Sequence, residues 1–221
     1  MDWFQTIDAY CERTDPGFWS EPLNAVTNAA FLLALLPALR PSQGRRLGVF
    51  EIVLLAIVFA IGIGSFLFHT FATRWASLAD VIPITIFIFA YFAFALRRFI
   101  GLSPLWTGLG TAAFFAASLL AEPVFAPLAG SSAAYLPGLF AMLGIGLFLI
   151  LRKKPVGRTV LLAGLVFAVS LGFRMADQPL CDVWPIGTHF LWHVLNAVTL
   201  GLLLLAARQV RGVAASALRA T

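Results

Sequence analysis

Long apolar segments at regular intervals are the feature that most limits what this chain can fold into. Each is close to the 20 or so residues that an α-helix needs to cross roughly 30 Å of hydrocarbon. In the whole chain 61% of the residues are hydrophobic and 11% are charged, a composition too apolar for a soluble domain. The pattern predicts an all-α fold, a single integral-membrane domain over residues 1–221 with seven transmembrane helices at Pro22–Leu39, Gly48–His69, Leu78–Leu96, Pro104–Ala121, Ala133–Leu151, Arg158–Phe173 and His189–Ala207.

Basic residues are distributed unevenly between the two ends of these segments. The connections after the first, third and fifth segments, with the C-terminal tail, hold twelve of the 15 lysines and arginines, namely Arg40, Arg45, Arg46, Arg97, Arg98, Arg152, Lys153, Lys154, Arg158, Arg208, Arg211 and Arg219. Because cytoplasmic loops carry such an excess, the N-terminus is predicted outside and the C-terminus in the cytoplasm. Basic residues scattered in this way are topology signals, so no nucleic-acid partner is expected. No cleavable signal peptide is expected either.

The three histidines of the chain all lie at the outer ends of apolar segments. His189 and His193 are four residues apart, so they share one face of a helix and can bind one metal ion. His69, at the end of another segment, completes a set of three nitrogens, and catalytic zinc typically has three protein ligands and one open position. A lone histidine in a membrane helix is more often a packing residue, but ionisable groups at this depth usually have a partner or a function. The sequence therefore predicts a zinc site at the outer side.

Two polar residues lie next to this predicted site. Ser65 is one helical turn before His69 and shares its face, and Asp80 follows a short connection that returns to the same level. Asp80 is equally compatible with a helix N-cap or with a partner that orients a histidine. Ser65 is equally compatible with a hydroxyl bonded to the carbonyl one turn back.

The two cysteines fall on the same predicted side of the membrane. Cys11 precedes the first apolar segment and Cys181 precedes the last. In an oxidising compartment, such as a periplasm or a lumen, two such thiols can form a disulfide. Two unpaired thiols are the alternative.

Taken together, these motifs resemble those of the alkaline ceramidase family, which are seven-helix membrane zinc amidases. The resemblance rests on Ser65-x3-His69 with Asp80, on His189-x3-His193, and on the N-terminal stretch CERTDPGFWSEPLNAVTN, in which the matching residues are Cys11, Glu12, Glu21, Asn24, Thr27 and Asn28. The serine, aspartate and three-histidine pattern recurs in a wider superfamily that includes the adiponectin and progestin receptors. The pattern alone therefore does not fix the substrate.

The resemblance implies roles for these residues. His69, His189 and His193 would bind zinc, Ser65 and Asp80 would complete the active site, and Cys11 would pair with Cys181. The expected function is hydrolysis of a ceramide-like N-acyl membrane lipid to a sphingoid base and a fatty acid, at the outer (periplasmic or lumenal) face. The alternative is a receptor-like or lipid-binding membrane protein with a structural zinc and little turnover.

A calcium site at Glu12 and Glu21 is also implied by the resemblance. The chain departs from the family pattern there, because Ala9 stands where the family has an aspartate and Thr14 replaces another oxygen ligand. Calcium accepts six to eight oxygens in flexible geometry. Nearby carboxylates that can compensate are those of Asp8 and Asp15.

Overall fold

The structure is a computed structural model that describes residues 2–40 and 47–217, and within these ranges the fold is all-α and contains no sheet. Six helical stretches are long and apolar enough to cross a membrane. These findings confirm the all-α fold and agree with an integral membrane protein. The predicted membrane orientation depends partly on arginines that lie outside the described residues, namely Arg45, Arg46 and Arg219. The side chain of Arg211 lies outside them too.

The helices follow the apolar segments, and most ends lie within four residues of those predicted, but the helices of the fourth and seventh segments continue to Ala129 and Ala217. The first segment is broken into three short helices, α1 (Pro22–Thr27), α2 (Ala29–Leu33) and α3 (Leu36–Leu39). The long helices are α4 (Val49–Phe71), α5 (Arg74–Phe94), α6 (Pro104–Ala129), α7 (Leu136–Leu151), α8 (Val156–Ala176) and α9 (His189–Ala217). A π-helical stretch, Ala95–Ile100, continues α5, and 3₁₀ turns at Gly130–Tyr135 and Gln178–Leu180 follow α6 and α8.

One membrane-length stretch, Pro104–Leu151, contains both the fourth and the fifth predicted segments. It is interrupted at Gly130, whose φ of 53° and ψ of −137° are not helical. The ring centroids of Phe125 and Phe140 are 6.2 Å apart, whereas one straight helix would separate these positions by about 22 Å. The chain therefore folds back at this glycine, and α6 packs against α7.

The bundle is held together by pairs of neighbouring helices. The closest pairs are α4 with α5, α7 with α8, and α8 with α9, and the three short N-terminal helices lie against α4 and α9. Leu54, Val58 and Leu149 are fully buried in the apolar core between them. A Cβ atom at Gly146 would lie 2.6 Å from the backbone nitrogen of Leu161, so α7 and α8 approach as closely as they do because this residue has no side chain.

Residues 2–21, here called the N-terminal arm, fold over the end of the bundle where α4 ends and α5 and α9 begin. The N–H of Ile7 donates to the carbonyl of Ala72 at 2.7 Å, and the N–H of Arg74 donates to the carbonyl of Gln5 at 3.2 Å. The arm therefore covers the connection between α4 and α5. This end of the bundle carries the histidines.

Candidate metal centre

Two helix ends bring the three histidines together. His69 lies in the last turn of α4, and His189 and His193 lie one turn apart at the start of α9. Each residue is at most 2% exposed, and each offers a ring nitrogen that lies within 4.8 Å of those of the other two. Among the described residues this is the group of histidine, cysteine and acidic side chains that could hold a metal ion.

Hydrogen bonds fix which nitrogen of two rings is available. The Nδ1–H of His69 donates to Oε2 of Glu21 at 2.6 Å, because a carboxylate can only accept. The hydroxyl of Thr27 donates to the carbonyl of Leu23 at 2.8 Å, so it accepts from the Nδ1–H of His193 at 3.0 Å. Both rings are therefore held in the tautomer whose Nε2 carries a free lone pair.

Three ring nitrogens within this group are buried and have no hydrogen-bond partner among the described residues. They are Nε2 of His69, Nε2 of His193 and Nδ1 of His189. Burying a polar atom without a partner is costly, and a cation between the rings would satisfy all of them. Three neutral imidazoles, two of them oriented by a hydrogen bond at the far nitrogen, fit zinc in number, chemistry and surroundings.

Glu21 links the metal centre to the N-terminal arm. Its carboxylate is 2% exposed and accepts from Nε of Arg13 at 2.5 Å, in addition to the bond from His69. Burial alone raises the pKa of Glu21, but the hydrogen bonds from His69 and Arg13 and the charge of Arg13 outweigh it and hold the pKa below its usual value. The carboxylate is therefore ionised where it contacts the ring of His69.

Asp80 lies beside the histidines on the neighbouring helix, near Ser65. Helix α5 has its N-cap at Thr73, so Asp80 is in the interior of the helix and its interpretation as an N-cap is wrong. Its Oδ1 is buried and has no hydrogen-bond partner among the described residues, and Ser65 lies close enough to act on its carboxylate. A Cβ atom at Gly64 would lie 2.0 Å from the carbonyl oxygen of Ala79. The close contact that brings Ser65 to Asp80 therefore requires glycine there.

Tyr10 and Arg174 complete the walls of the site, and neither was identified from the sequence. The Tyr10 ring stacks on His189, with centroids 3.6 Å apart, and burial raises the pKa of its hydroxyl, which therefore stays protonated. Arg174, in the last turn of α8, lies over the ring of Trp192 and donates to the hydroxyl of Ser132 at 2.6 Å. It is close enough for its charge to act on Asp80.

The expected disulfide is present between Cys11 and Cys181. Asp177, which the sequence analysis missed, lies next to it and is 1% exposed. Its Oδ1 accepts from the N–H groups of Thr188 and His189, at 2.7 and 2.9 Å, and its Oδ2 accepts from the N–H of Cys11 at 3.1 Å. This one carboxylate thus caps α9 at its first histidine and ties the N-terminal arm to it.

The calcium site is not supported by the structure. The two oxygens of Glu12 accept from the N–H groups of Leu23 and Asn24, at 2.7 and 2.8 Å. Glu21 is occupied by Arg13 and His69, as described above. The carboxylates expected to bind calcium therefore cap a helix in one case and hold a guanidinium and an imidazole in the other.

An elongated apolar cavity begins next to the metal centre at Tyr135 and Trp192. It continues along α5 and α9 to Tyr91 and Leu203, where the tyrosine hydroxyl donates to the leucine carbonyl at 2.8 Å. From Trp192 to Leu203 the helix rises by about 16 Å. The apolar lining therefore runs from Trp192, whose ring centroid is 6.5 Å from that of His189, into the bundle along α9.

Comparison with known proteins gives one finding that covers nearly the whole chain. The family model described as Ceramidase matches residues 10–215. This range includes every residue of the metal centre, from Tyr10 in the N-terminal arm to His193 in α9. Among the curated proteins there is no match.

Proposed function

The chain belongs to the Ceramidase family, and from this premise we propose that it is a zinc-dependent amide hydrolase of the membrane. The proposed substrates are ceramide-like N-acyl lipids, and the products are a sphingoid base and a fatty acid. His69, His189 and His193 would hold the zinc, and Asp80 and Ser65 would carry out the proton transfer and hydrogen bonding.

One observation carries the proposal. Three buried imidazole nitrogens without partners converge within 4.8 Å, and beside them lies a buried carboxylate oxygen of Asp80 that also has no partner among the described residues. A purely structural site would have no need of an unpaired carboxylate at its edge. Metal-assisted hydrolysis needs one, because a base must take a proton from the attacking water.

Zinc in such a three-histidine site supplies a Lewis acid that polarises the amide carbonyl and makes water nucleophilic near neutral pH. The Nδ1–H groups of His69 and His193 donate to Glu21 and Thr27. These bonds orient the two rings and keep the lone pairs of their Nε2 atoms directed at the proposed metal position. Tyr10 excludes water from one side of His189 by stacking on it.

The proton transfers fall to Asp80. As the water oxygen attacks the amide carbon, Asp80 accepts the proton that the water loses, and it returns this proton to the leaving amine when the C–N bond breaks. Ser65 has a single hydroxyl hydrogen, which it donates to the ionised Asp80. Once Asp80 is protonated it can donate to Ser65 instead, and the serine hydrogen is then free to stabilise the negative oxygen of the tetrahedral state. One such donor contributes roughly 2.7–4 kcal/mol.

The apolar cavity supplies the binding site for the lipid chain. Its end at Tyr135 and Trp192 lies next to His189, whose ring centroid is 6.5 Å from that of Trp192, so a chain that fills the cavity would leave its amide near the histidines. The cavity wall is almost entirely apolar, and burying methylene groups there contributes about 0.8 kcal/mol for each. A fatty acyl chain matches this site in length and in chemistry.

The topology we propose has seven crossings, since the fold-back at Gly130 divides the Pro104–Leu151 stretch into two helices. The N-terminus is outside, the C-terminus is cytoplasmic and the metal centre faces outward. The excess of basic residues at the opposite end of the bundle supports this orientation, and so does the disulfide at the metal end, because disulfides persist in oxidising compartments.

The test is to incubate the purified protein with a panel of N-acyl lipids and to measure released fatty acid by mass spectrometry, with elemental analysis of the same sample. We expect about one zinc per chain and release of fatty acid from ceramides. His193→Ala should lose most of the zinc, because two histidines seldom retain it. Full zinc in that variant would contradict the ligand assignment, and zinc without any turnover would favour the receptor-like alternative.

A further inference from the structure

Arg13 is buried beneath the metal centre and is only 8% exposed. Its guanidinium donates to four oxygens. These are Oε1 of Glu21 at 2.5 Å and the carbonyl oxygens of His69 at 3.2 Å, Asp15 at 3.1 Å and Gly17 at 3.5 Å. A carboxylate and three carbonyl groups around one cation are hard oxygen ligands of the kind that bind calcium.

We propose that Arg13 is a positioning residue, a built-in cation that takes the place of calcium and holds Glu21 against the Nδ1–H of His69. This inference rests on the proposed zinc site, because its effect is on a zinc ligand. Arg13 itself touches neither the metal position nor the substrate cavity. It acts through Glu21, whose two oxygens are divided between the guanidinium and the imidazole.

The shape of the guanidinium suits this task. Its planar donors reach Glu21 on one side and the carbonyl of His69, at the C-terminal end of α4, on the other. Cations are favoured at helix C-termini because the last carbonyl groups there lack partners. Arg13 therefore contacts the carboxylate that orients the ring of His69 and the backbone of the same histidine. A lysine ammonium is a point charge and cannot bridge two such positions in a fixed geometry.

The N-terminal arm is the second part that Arg13 organises. By donating to the carbonyl groups of Asp15 and Gly17, it sets the course of the arm between the disulfide and the start of α1. Asn24 also donates to Oε2 of Glu21, at 3.2 Å, so the carboxylate is held from three directions. A permanent charge in this position needs no bound ion, and the metal centre should be assembled equally well with or without calcium.

The experiment is a double-mutant cycle on zinc affinity, measured in detergent by competition with a chelator. Arg13→Met keeps the bulk but removes the charge, and Glu21→Gln keeps the size but removes the anion. Each should lower zinc affinity by roughly 10–100 fold, as expected when the hydrogen-bond partner of a ligand is lost. The double variant should be little worse than Glu21→Gln alone, because Arg13 acts through that carboxylate. Arg158→Met, at an exposed arginine, is the matched control and should leave zinc affinity unchanged.

Losses that simply add in the double variant would overturn the proposal, as would unchanged zinc affinity in Arg13→Met. If that variant fails to fold, Arg13→Lys keeps the charge and should still bind zinc more weakly than the wild type; equal affinity would overturn the proposal too. A wild type that binds no zinc would overturn the proposed function first. Because the readout is metal affinity, a protein that binds zinc but hydrolyses none of the lipids still gives a decisive result here.

The response to calcium provides a second, independent test. The wild type should have the same melting temperature and the same zinc affinity with and without added calcium. In Arg13→Ala the same four oxygens face the space left by the guanidinium, and added calcium should recover part of the lost zinc affinity. Stabilisation of the wild type by calcium, or no recovery in Arg13→Ala, would overturn the claim that this arginine takes the place of a divalent cation.

Discussion

Replacing Asp80 with asparagine separates the two roles that remain for this residue. The amide has the same shape and can still pair with Ser65, but it cannot take a proton from water. If Asp80 is the base, turnover should fall by roughly 10² to 10⁴ fold, which corresponds to about 3–5 kcal/mol of activation free energy. If Asp80 instead orients a metal ligand, zinc affinity should fall by roughly 10–100 fold together with the activity.

The structure favours the first outcome. The Nδ1 atoms of His69 and His193 are already bonded to Glu21 and Thr27, so Asp80 is not needed to orient either ring. We therefore expect Asp80→Asn to retain its zinc while it loses activity.

Both quantities should be measured on one preparation, as zinc by elemental analysis and as fatty acid released from ceramide by mass spectrometry. Asp182→Asn, at an exposed carboxylate in the connection before α9, is the control and should behave like the wild type. Near-normal turnover with full zinc would remove Asp80 from the mechanism, and parallel loss of zinc and activity would assign it to the support of a ligand.

Three further perturbations test other parts of the structure. Reducing the Cys11–Cys181 disulfide, which closes a separation of 170 residues, should lower the free energy of unfolding by about 5 kcal/mol in the chain-entropy model; alkylation of both cysteines without reductant would show that the bond does not form. Gly64→Ala would place a Cβ atom 2.0 Å from the carbonyl oxygen of Ala79 and should cost about 1–3 kcal/mol of stability, with activity reduced and the zinc content of folded protein kept. Ala95→Leu narrows the far end of the apolar cavity and should shift the preference toward shorter acyl chains by about tenfold; an unchanged chain-length profile would place the lipid elsewhere.

The convergence of the three histidines could be predicted from the sequence because they lie on regular helices. The four-residue spacing of His189 and His193 places both on one face of a helix. The position of His69 at the end of an apolar segment places it at the same level of the membrane. The same argument placed Ser65 and Asp80 next to them. The N-cap interpretation of Asp80 failed because α5 begins earlier than its apolar pattern, at Arg74.

The residues that contact and orient the histidines could not be predicted, because they meet through the irregular N-terminal arm. No periodicity indicates that Tyr10 stacks on His189 or that Arg13 reaches Glu21 and the end of α4. Asp177 was missed for a related reason, since its role depends on how the connection before α9 turns. The calcium prediction rested on matching carboxylates and did not consider that a neighbouring arginine could occupy them.

The pairing of the N-terminal region with α9 has a consequence for how the protein is made. Thr27 and His193 are 166 residues apart in the sequence, whereas Arg13, Glu21 and His69 all come from its first third. During synthesis, N-terminal regions fold first, so the half of the site that orients His69 can form while α9 is still in the ribosome. The other two histidines join His69 only after α9 has entered the membrane. If the three hold the catalytic metal, as we propose, an unfinished chain cannot act on the lipids of the bilayer that receives it.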